Sequence, residues 1–457
     1  MTTTLPDAPG PRGDLLLGSV LDFKTNPLEF CRYMASAYGD VSRVRMGTVH
    51  WYLVTNPADI WDIMTTRAEL FPKPAIAARL WKEFLGDGLL TSEGAEWRRQ
   101  TTMMKPAMHR ERLAVYGDVM AEYTDRMVDA WSPGEQRDVH ADFTALTLRI
   151  VCKTLFDADV ARDAPAVGEA MEVLQEVMVE HIHLPIPLPA WWPTQKNQRK
   201  VKALSTLKDI VGRLIRERRA SGEDTGDLLS MLLASRDEAG SGMTDQEVFD
   251  QAMTLFFAGH ETSANGLTWA WYLLARHPEV VARMRDELDT VVGDRAPSMA
   301  DLRDLPYLDA VVHECLRVMS PVWLFMKEAA ADTEIGGFRV PKGSPIAICP
   351  YITQRDARWW AEPEVFRPER FEKARRAEHV RGAWIPFSGG ARVCFGKSFA
   401  MTELRLVLAT MVQRLDPVIP EGHWPVKVSE LSLHPRGGLP IEVRPRPDLR
   451  RPVRQAG

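Results

Sequence analysis

Apolar residues recur at helical spacing over most of the stretch from about 95 to 320, and alternate with polar ones only in short flanking segments. Residues 41–55 alternate around Gly47-Thr48, which predicts a hairpin. Asn56-Pro57 then supplies an N-cap followed by proline at the first helical position, so a helix opens there. The longest uninterrupted helical pattern covers 244–276, with a Thr244/Glu247 capping box at its start and His277-Pro278 at its end. Roughly 33 residues at about 1.5 Å each span close to 50 Å. With Leu255, Phe256, Phe257, Ala258, Leu267 and Trp269 spread round it, that helix is expected to run through the middle of the fold. The proline-rich run LPIPLPAWWP, 184–193, breaks the helical pattern and reads equally as a rigid flap over a pocket or as a surface connector. Short strands are expected at 333–352, irregular chain at 353–395, helix again at about 397–415, and a final strand pair after it. Residues 1–18 read as an extended lead-in and 446–457 as an Arg- and Pro-rich tail. The reading is therefore mainly α with a small β subregion, one large domain over 19–445.

Length alone would suggest two to four domains, but one large core can organise a chain of this size. The net charge of −5 gives no global pull toward nucleic acid or anionic lipid. The N-terminus lacks a charged region followed by an apolar one, and no run of about 18 apolar residues occurs, so a soluble protein without a transmembrane segment is expected. A monomer is expected, and the cysteine usage fits a reducing, cytoplasmic setting. The cysteines are Cys31, Cys152, Cys315, Cys349 and Cys394. Their odd count and the absence of C-x-x-C spacing argue against a disulfide framework and against structural zinc. A single cysteine in special surroundings is then the feature to look for.

Cys394 has them. It lies in Phe387-Ser388-Gly389-Gly390-Ala391-Arg392-Val393-Cys394-Phe395-Gly396-Lys397, just ahead of a predicted helix. Glycines let backbone pass close to a flat cofactor. Free amides and the positive end of the helix dipole favour thiolate over thiol. Arg392 offers a fixed positive charge to a carboxylate. The segment also imitates a phosphate-binding P-loop, but Gly390 stands six residues before Gly396 where that motif needs five, and no C-x-x-C-H is present for c-type heme attachment. On these residues alone a buried structural cysteine remains an equal reading. The segment resembles the cytochrome P-450 heme-binding signature, F-x-x-G-x-R-x-C-x-G. Phe387, Gly390, Arg392, Cys394 and Gly396 match every fixed position, and Ala400 fits the usual extension.

Further motifs follow the same resemblance. Ala258-Gly259-His260-Glu261-Thr262-Ser263 in the long helix is similar to the family's oxygen-binding motif. Ala258 and Thr262 share one face, and Gly259 together with a hydroxyl that can divert a backbone hydrogen bond is expected to loosen the helix there. Glu261 and Thr262 form an acid–alcohol pair able to relay protons. Ala264 stands where a zinc H-E-x-x-H would need its second histidine. Glu314-Cys315-Leu316-Arg317 resembles the family's E-x-x-R, and Pro368-Glu369-Arg370-Phe371 its P-E-R-F. The resemblance implies that Glu314, Arg317 and Arg370 form a buried cluster supporting the cysteine loop. Trp97 matches the start of a W-x-x-x-R found in relatives, but Thr101 replaces its arginine, and Lys327 stands where relatives usually place another. The propionate side is then expected to hold heme less rigidly, with Arg98, Lys105 or His109 compensating.

The resemblance runs from about residue 10 to 445. It implies a cytochrome P-450 fold with heme b (iron protoporphyrin IX) buried between the long helix and the cysteine loop, Cys394 as axial ligand, and Trp97, Arg98, Ala258 and Lys327 against the cofactor. It implies insertion of one oxygen atom from O2 into a lipophilic substrate, such as a terpenoid, a fatty acid or a polyketide-like compound. No flavin, nicotinamide or iron–sulfur motif is evident, so electrons are expected from a ferredoxin and its reductase. Arg98, Arg99, Lys105, Arg110, Arg112, Lys397 and Arg405 would offer that partner a basic dock, unless they are simply solvated helix faces. Leu85, Phe257, Val322, Leu324 and Leu433 are expected in the pocket lining, among the apolar segments around 81–90, 171–188, 255–258, 322–325 and 431–434. The alternatives are a peroxide-driven or isomerase-type enzyme on the same fold, which the Glu261–Thr262 pair argues against, and a non-catalytic heme protein such as a gas sensor.

Overall fold

A computed structural model of the chain describes residues 5–156, 164–183, 192, 194–222 and 225–447. It divides into two units. The first comprises residues 1–78, 309–397 and 427–434, and the second residues 79–308, 398–426 and 435–457.

The first unit is organised by a four-stranded mixed sheet. Its hairpin pairs Val41–Met46 with Val49–Val54 in antiparallel register, Val44 opposite Trp51, around the predicted Gly47-Thr48 turn, with Gly47 at φ 63°. Val49–Val54 then runs parallel to Pro345–Ile348, which in turn pairs antiparallel with Phe325–Glu328. The Asn56 carboxamide caps helix Pro57–Met64 by accepting from the Ala58 amide at 2.9 Å, as the Asn-Pro pair predicts. That helix drops Ile60, Ile63 and Met64 onto the sheet residues Val54, Ile346 and Ile348. Ile385, just ahead of the cysteine loop, joins the same apolar cluster, so the loop is rooted in the sheet's core. The expected lead-in is not free chain: the Pro9 carbonyl accepts from Arg43 N at 2.8 Å and the Pro6 carbonyl from Arg339 N at 3.0 Å. Gly10 passes so close that a Cβ there would lie 1.8 Å from the Arg43 carbonyl oxygen.

The second unit is helical. Helix Asp245–Arg276 carries the predicted capping box, with Glu247 N donating to Thr244 Oγ1 at 3.2 Å and Thr244 N to Glu247 Oε2 at 2.7 Å. It is buried along most of its length, with Val248, Phe256, Leu267, Trp269 and Leu274 in the interior. Helix Val139–Phe156 packs along it, and Thr147 Oγ1 donates to the His260 carbonyl at 2.9 Å. Helix Lys397–Arg414 is buried from Met401 onward, and its last residue, Arg414, reaches Asp125 at 3.0 Å and Asp129 at 2.5 Å. Strand Pro440–Glu442 pairs with Gln136–Asp138, far upstream, a partner that local patterning does not reveal. Among the described residues no helix is long and apolar enough to cross a membrane. The proline-rich segment lies outside the described residues apart from Trp192, as does the tail from 448 on.

Candidate functional site

The cysteine loop is held by its own backbone. Cys394 N donates to the Phe387 carbonyl at 2.9 Å, Val393 N to Gly390 O at 3.2 Å, and Lys397 N to Cys394 O at 3.2 Å, where helix Lys397–Arg414 begins. Ser388 at φ 60° and Gly390 at φ 64° turn the chain through the left-handed region. The glycines do not all serve as the sequence suggested. A Cβ on Gly390 would sit 2.0 Å from the Met64 carbonyl oxygen, and one on Gly389 3.0 Å from Met64 Cε, so these two make room for helix Pro57–Met64. Gly396 alone of the three has open space where a Cβ would point, as a glycine against a flat ligand needs.

Cys394 is exposed, whereas Cys31, Cys152, Cys315 and Cys349 are buried. Although open on one side, its sulfur is ringed closely enough that burial pushes the thiol above its ordinary range. The Gly396 and Lys397 amides and the Lys397 charge pull the other way without prevailing. Coordination to a metal cation removes such a proton outright. One accessible sulfur, donor amides behind it and a clear face at Gly396 fit an iron porphyrin bound through thiolate. The flanking side chains Phe387 and Arg392 are half-buried, and the Lys397 ammonium lies 5.9 Å from the Phe387 ring centroid and 5.7 Å from that of Trp384.

Behind the loop lies the ionic cluster expected from the E-x-x-R and P-E-R-F motifs. Arg317 Nε and Nη2 donate to the two oxygens of Glu314 at 2.7 and 2.8 Å, with both side chains fully buried. The remaining Arg317 donors go to the carbonyls of Gln354, Pro363 and Val365. Glu314 also accepts from Arg367 N at 2.8 Å. Arg370 Nε stands 3.4 Å from Glu314, while its other nitrogens bond the Ala361 and Glu362 carbonyls. Burial lowers the Arg370 pKa from its usual value. One member of this assembly was missed from the sequence. Gln354 donates to the Leu316 and Arg317 carbonyls at 3.0 and 3.1 Å and accepts from Ile385 N at 2.9 Å, and Ser388 N donates back to Ile385 O at 3.1 Å. Gln354 thus links the E-x-x-R helix to the first turn of the cysteine loop.

In the second unit, Thr262 Oγ1 donates to the Ala258 carbonyl at 2.7 Å, the diverted hydrogen bond expected there. The helix nevertheless continues unbroken through Gly259. The reason for that glycine is packing: a Cβ would meet Val151 Cγ2 at 3.2 Å, so Gly259 admits the neighbouring helix rather than loosening its own. Ala258 is exposed, while Glu261 and Thr262 are half-buried. Glu261 Oε2 accepts from Gln175 at 2.9 Å. His260 is buried, its Nδ1 2.8 Å from the Phe256 carbonyl, and burial holds its pKa below the ordinary imidazole value.

The remaining expected residues divide between the units. Trp97 is half-buried and Arg98, Lys105 and His109 are exposed. Thr101 has a buried hydroxyl without a hydrogen-bond partner among the described residues. Arg99 is not available to a docking partner, because it is engaged with Asp237 at 2.8 Å and Glu247 at 2.5 Å. Leu85 is fully buried and Phe257 nearly so, the latter in edge-to-face contact with Trp81 at 5.4 Å. In the first unit Lys327 is buried on strand Phe325–Glu328. Leu433 N donates to Pro321 O at 2.8 Å, which draws Leu433 beside the half-buried Val322 and Leu324. Glu403 also went unremarked in the sequence. It is fully buried on helix Lys397–Arg414, has no well-formed hydrogen bond among the described residues, and burial outweighs a weak contact from Ser263 to push its pKa up to about 8.

The family model described as Cytochrome P450 matches residues 8–440. Cyclooctatin synthase of Streptomyces melanosporofaciens is 36% identical over 442 residues, covering 96% of this chain and 92% of that protein. Cyclooctat-9-en-7-ol 5-monooxygenase of the same organism is 35% identical, covering 87% of each chain. Pentalenene oxygenase of Streptomyces avermitilis is 34% identical, covering 87% of this chain and 88% of the other. The crystal structure of the cytochrome P450DA heme domain superposes with a TM-score of 0.87 at 25% identity, covering 99% of this chain and 100% of that one.

Proposed function

The chain belongs to the cytochrome P450 family, and on that premise we propose that it is a monooxygenase of cyclic terpenoids that draws its electrons from a separate ferredoxin and reductase. The observation that carries the chemistry is Cys394, the one exposed cysteine, on a glycine-bearing loop ahead of a helix. The terpenoid reading rests on the three relatives at 34–36% identity, whose names give cyclooctatin, a cyclooctatenol and pentalenene.

Heme b, held through Cys394, would supply the oxygen-activating chemistry. The chain's own residues do the rest. The amides of Gly396 and Lys397 stabilise charge on Cys394 Sγ. The Glu314–Arg317–Gln354 chain fixes the backbone from which the loop springs. Thr262 Oγ1, which donates its hydrogen bond to the Ala258 carbonyl, would by rotating away turn that donor toward bound oxygen. Neighbouring positions on a helix do not face each other, so protons would pass from Glu261 to that hydroxyl through ordered water. In the first unit, Arg392 and Lys327 would supply positive charge for the propionates. Val322 and Leu324, half-buried in the first unit, would offer apolar surface to a lipophilic substrate.

The test is the absorbance spectrum of the dithionite-reduced protein with carbon monoxide, beside Cys394→His. A strongly red-shifted Soret band, lost in the variant, is expected. Its absence from heme-replete wild type would remove the thiolate and the reading with it. Product formation from a panel of cyclic terpenes, with surrogate redox partners, tests the substrate class separately.

A further inference from the structure

In the first unit, the segment from Phe371 to Trp384 folds against helix Pro306–Val318 and helix Pro57–Met64 and leaves a recess of about 380 Å³. That volume is within the range of small-molecule sites. Its walls are rings: Trp61, His313, Phe371, His379 and Trp384. His313 stacks on Trp384 with centroids 4.9 Å apart and planes at 27°, and His379 lies 4.8 Å from Phe371. The Trp384 indole N–H donates to the His313 carbonyl at 3.3 Å, so the wall is fixed in place. Burial lowers the pKa of His379, which favours its uncharged ring at neutral pH.

Two guanidinium groups frame the mouth, and they differ. Arg376 is pinned, with Nε donating to the Phe371 carbonyl at 2.5 Å and Nη2 paired with Asp309. Arg381 is exposed, lies 5.5 Å over the Trp61 ring, and among the described residues has no carboxylate partner. Exposed Lys373 and Arg375 add positive charge on the same segment, against Glu372 and Glu378. An aromatic cleft with one uncommitted arginine resting on an indole is a receptor for a flat group bearing an anion: the rings stack, and the guanidinium takes the charge through paired hydrogen bonds.

We propose that this recess binds a planar aromatic anion, a fused ring carrying a carboxylate or sulfonate, with the rings against Trp61 and Trp384 and the anion on Arg381. The monooxygenase chemistry does not use the residues that line it. Trp384 lies 6.3 Å from Phe387 of the cysteine loop, and the Lys397 ammonium covers both rings, so an occupant is one ring contact from that loop.

The experiment is titration calorimetry of heme-loaded protein with 2-naphthoate. A saturating azole on the iron keeps the probe out of the substrate pocket, and 2-naphthol serves as the uncharged control. Tighter binding of naphthoate than of naphthol is expected, at one site. Arg381→Ala should weaken naphthoate by about tenfold or more, the size of one lost charge-assisted hydrogen bond, and leave naphthol unchanged. Arg381→Lys should restore part of the affinity, and Val380→Asp, at an exposed position on the rim, should weaken it by like charge. Equal affinity for the two probes, or naphthoate binding indifferent to both Arg381→Ala and Val380→Asp, would overturn the proposal. So would slowed reduction by ferredoxin in Arg381→Ala with naphthoate binding intact, which would make the recess a protein contact.

Discussion

Glu314 and Glu403 are both fully buried carboxyl groups, one in each unit, and the protein treats them in opposite ways. Glu314 is surrounded by donors: two nitrogens of Arg317, the Arg367 amide, and Arg370 at 3.4 Å. Glu403 has no well-formed partner among the described residues, and burial raises its pKa to about 8, so at neutral pH it holds its proton. An interior keeps a charge only where it has built a shell of counter-charge and hydrogen bonds; elsewhere it neutralises the group. Glu261 and Thr262 fall between these extremes. Half-buried, with Glu261 accepting from Gln175 and Thr262 bonded within its own helix, they are groups with room to change partners, as proton carriers must be.

The largest effect should come from breaking the compensated site. Glu314→Ala leaves Arg317 and Arg370 facing each other without their anion, at a cost of about 3–5 kcal/mol. Urea unfolding should show that loss, or the variant should fail to accumulate. A drop below about 1 kcal/mol would mean that the cluster is not what holds the loop's foundation.

Glu403→Gln sharpens the contrast through pH. The folded pKa of Glu403 is raised above the ordinary carboxylate value, so the wild type binds a proton that the unfolded chain releases. Its stability contribution is fully present below about pH 4.5 and is lost as pH rises toward 8. The glutamine variant lacks that loss. Its advantage over wild type should open between pH 5 and 8, reach a few kcal/mol at most, and level off above. A gap independent of pH would place the titration elsewhere.

Thr262→Ala removes a hydroxyl whose bond stays within its own helix, so stability should change by less than about 1 kcal/mol. Product formed per electron consumed should nonetheless fall by about 10²-fold, with the balance appearing as peroxide. Full coupling in this variant would deny the hydroxyl its proton-holding role. The smallest effect belongs to the propionate side: Thr101→Arg with Lys327→Arg should slow heme transfer to an apo-acceptor by roughly a few-fold, because a bidentate fork replaces a point charge and a lone hydroxyl. An unchanged rate would show that Lys327 and Thr101 already suffice.

What the sequence disclosed follows the reach of each signal. The Thr244/Glu247 box, the Asn56 cap and the Gly47-Thr48 turn are contacts over two or three residues, and all were legible. The cysteine loop was legible through its motif, yet the purpose of its glycines was not. Gly389 and Gly390 answer to Met64, more than 300 residues upstream, and Gly259 to Val151. Gln354 looked like any polar residue in an irregular stretch, because its value lies in three backbone groups on two distant segments. Glu403 sits on a helix with apolar residues on all sides, so no polar face marked it as buried. Arg99 read as part of a basic patch, since its carboxylate partners Asp237 and Glu247 lie far along the chain.

The parallel pairing of Val49–Val54 with Pro345–Ile348 sets a timetable for synthesis. The hairpin can form as soon as it leaves the ribosome, but its next strand emerges roughly 300 residues later, about 15–60 s at ordinary elongation rates. Until then Val49–Val54 presents an open edge bearing Tyr52 and Val54, which are buried in the finished sheet. The helical unit, by contrast, draws most of its chain from one continuous stretch, 79–308, and can be well advanced before the sheet closes. The nascent hairpin is therefore the part of this chain most in need of a chaperone, and the segment bearing Cys394 is made only after that exposure has ended.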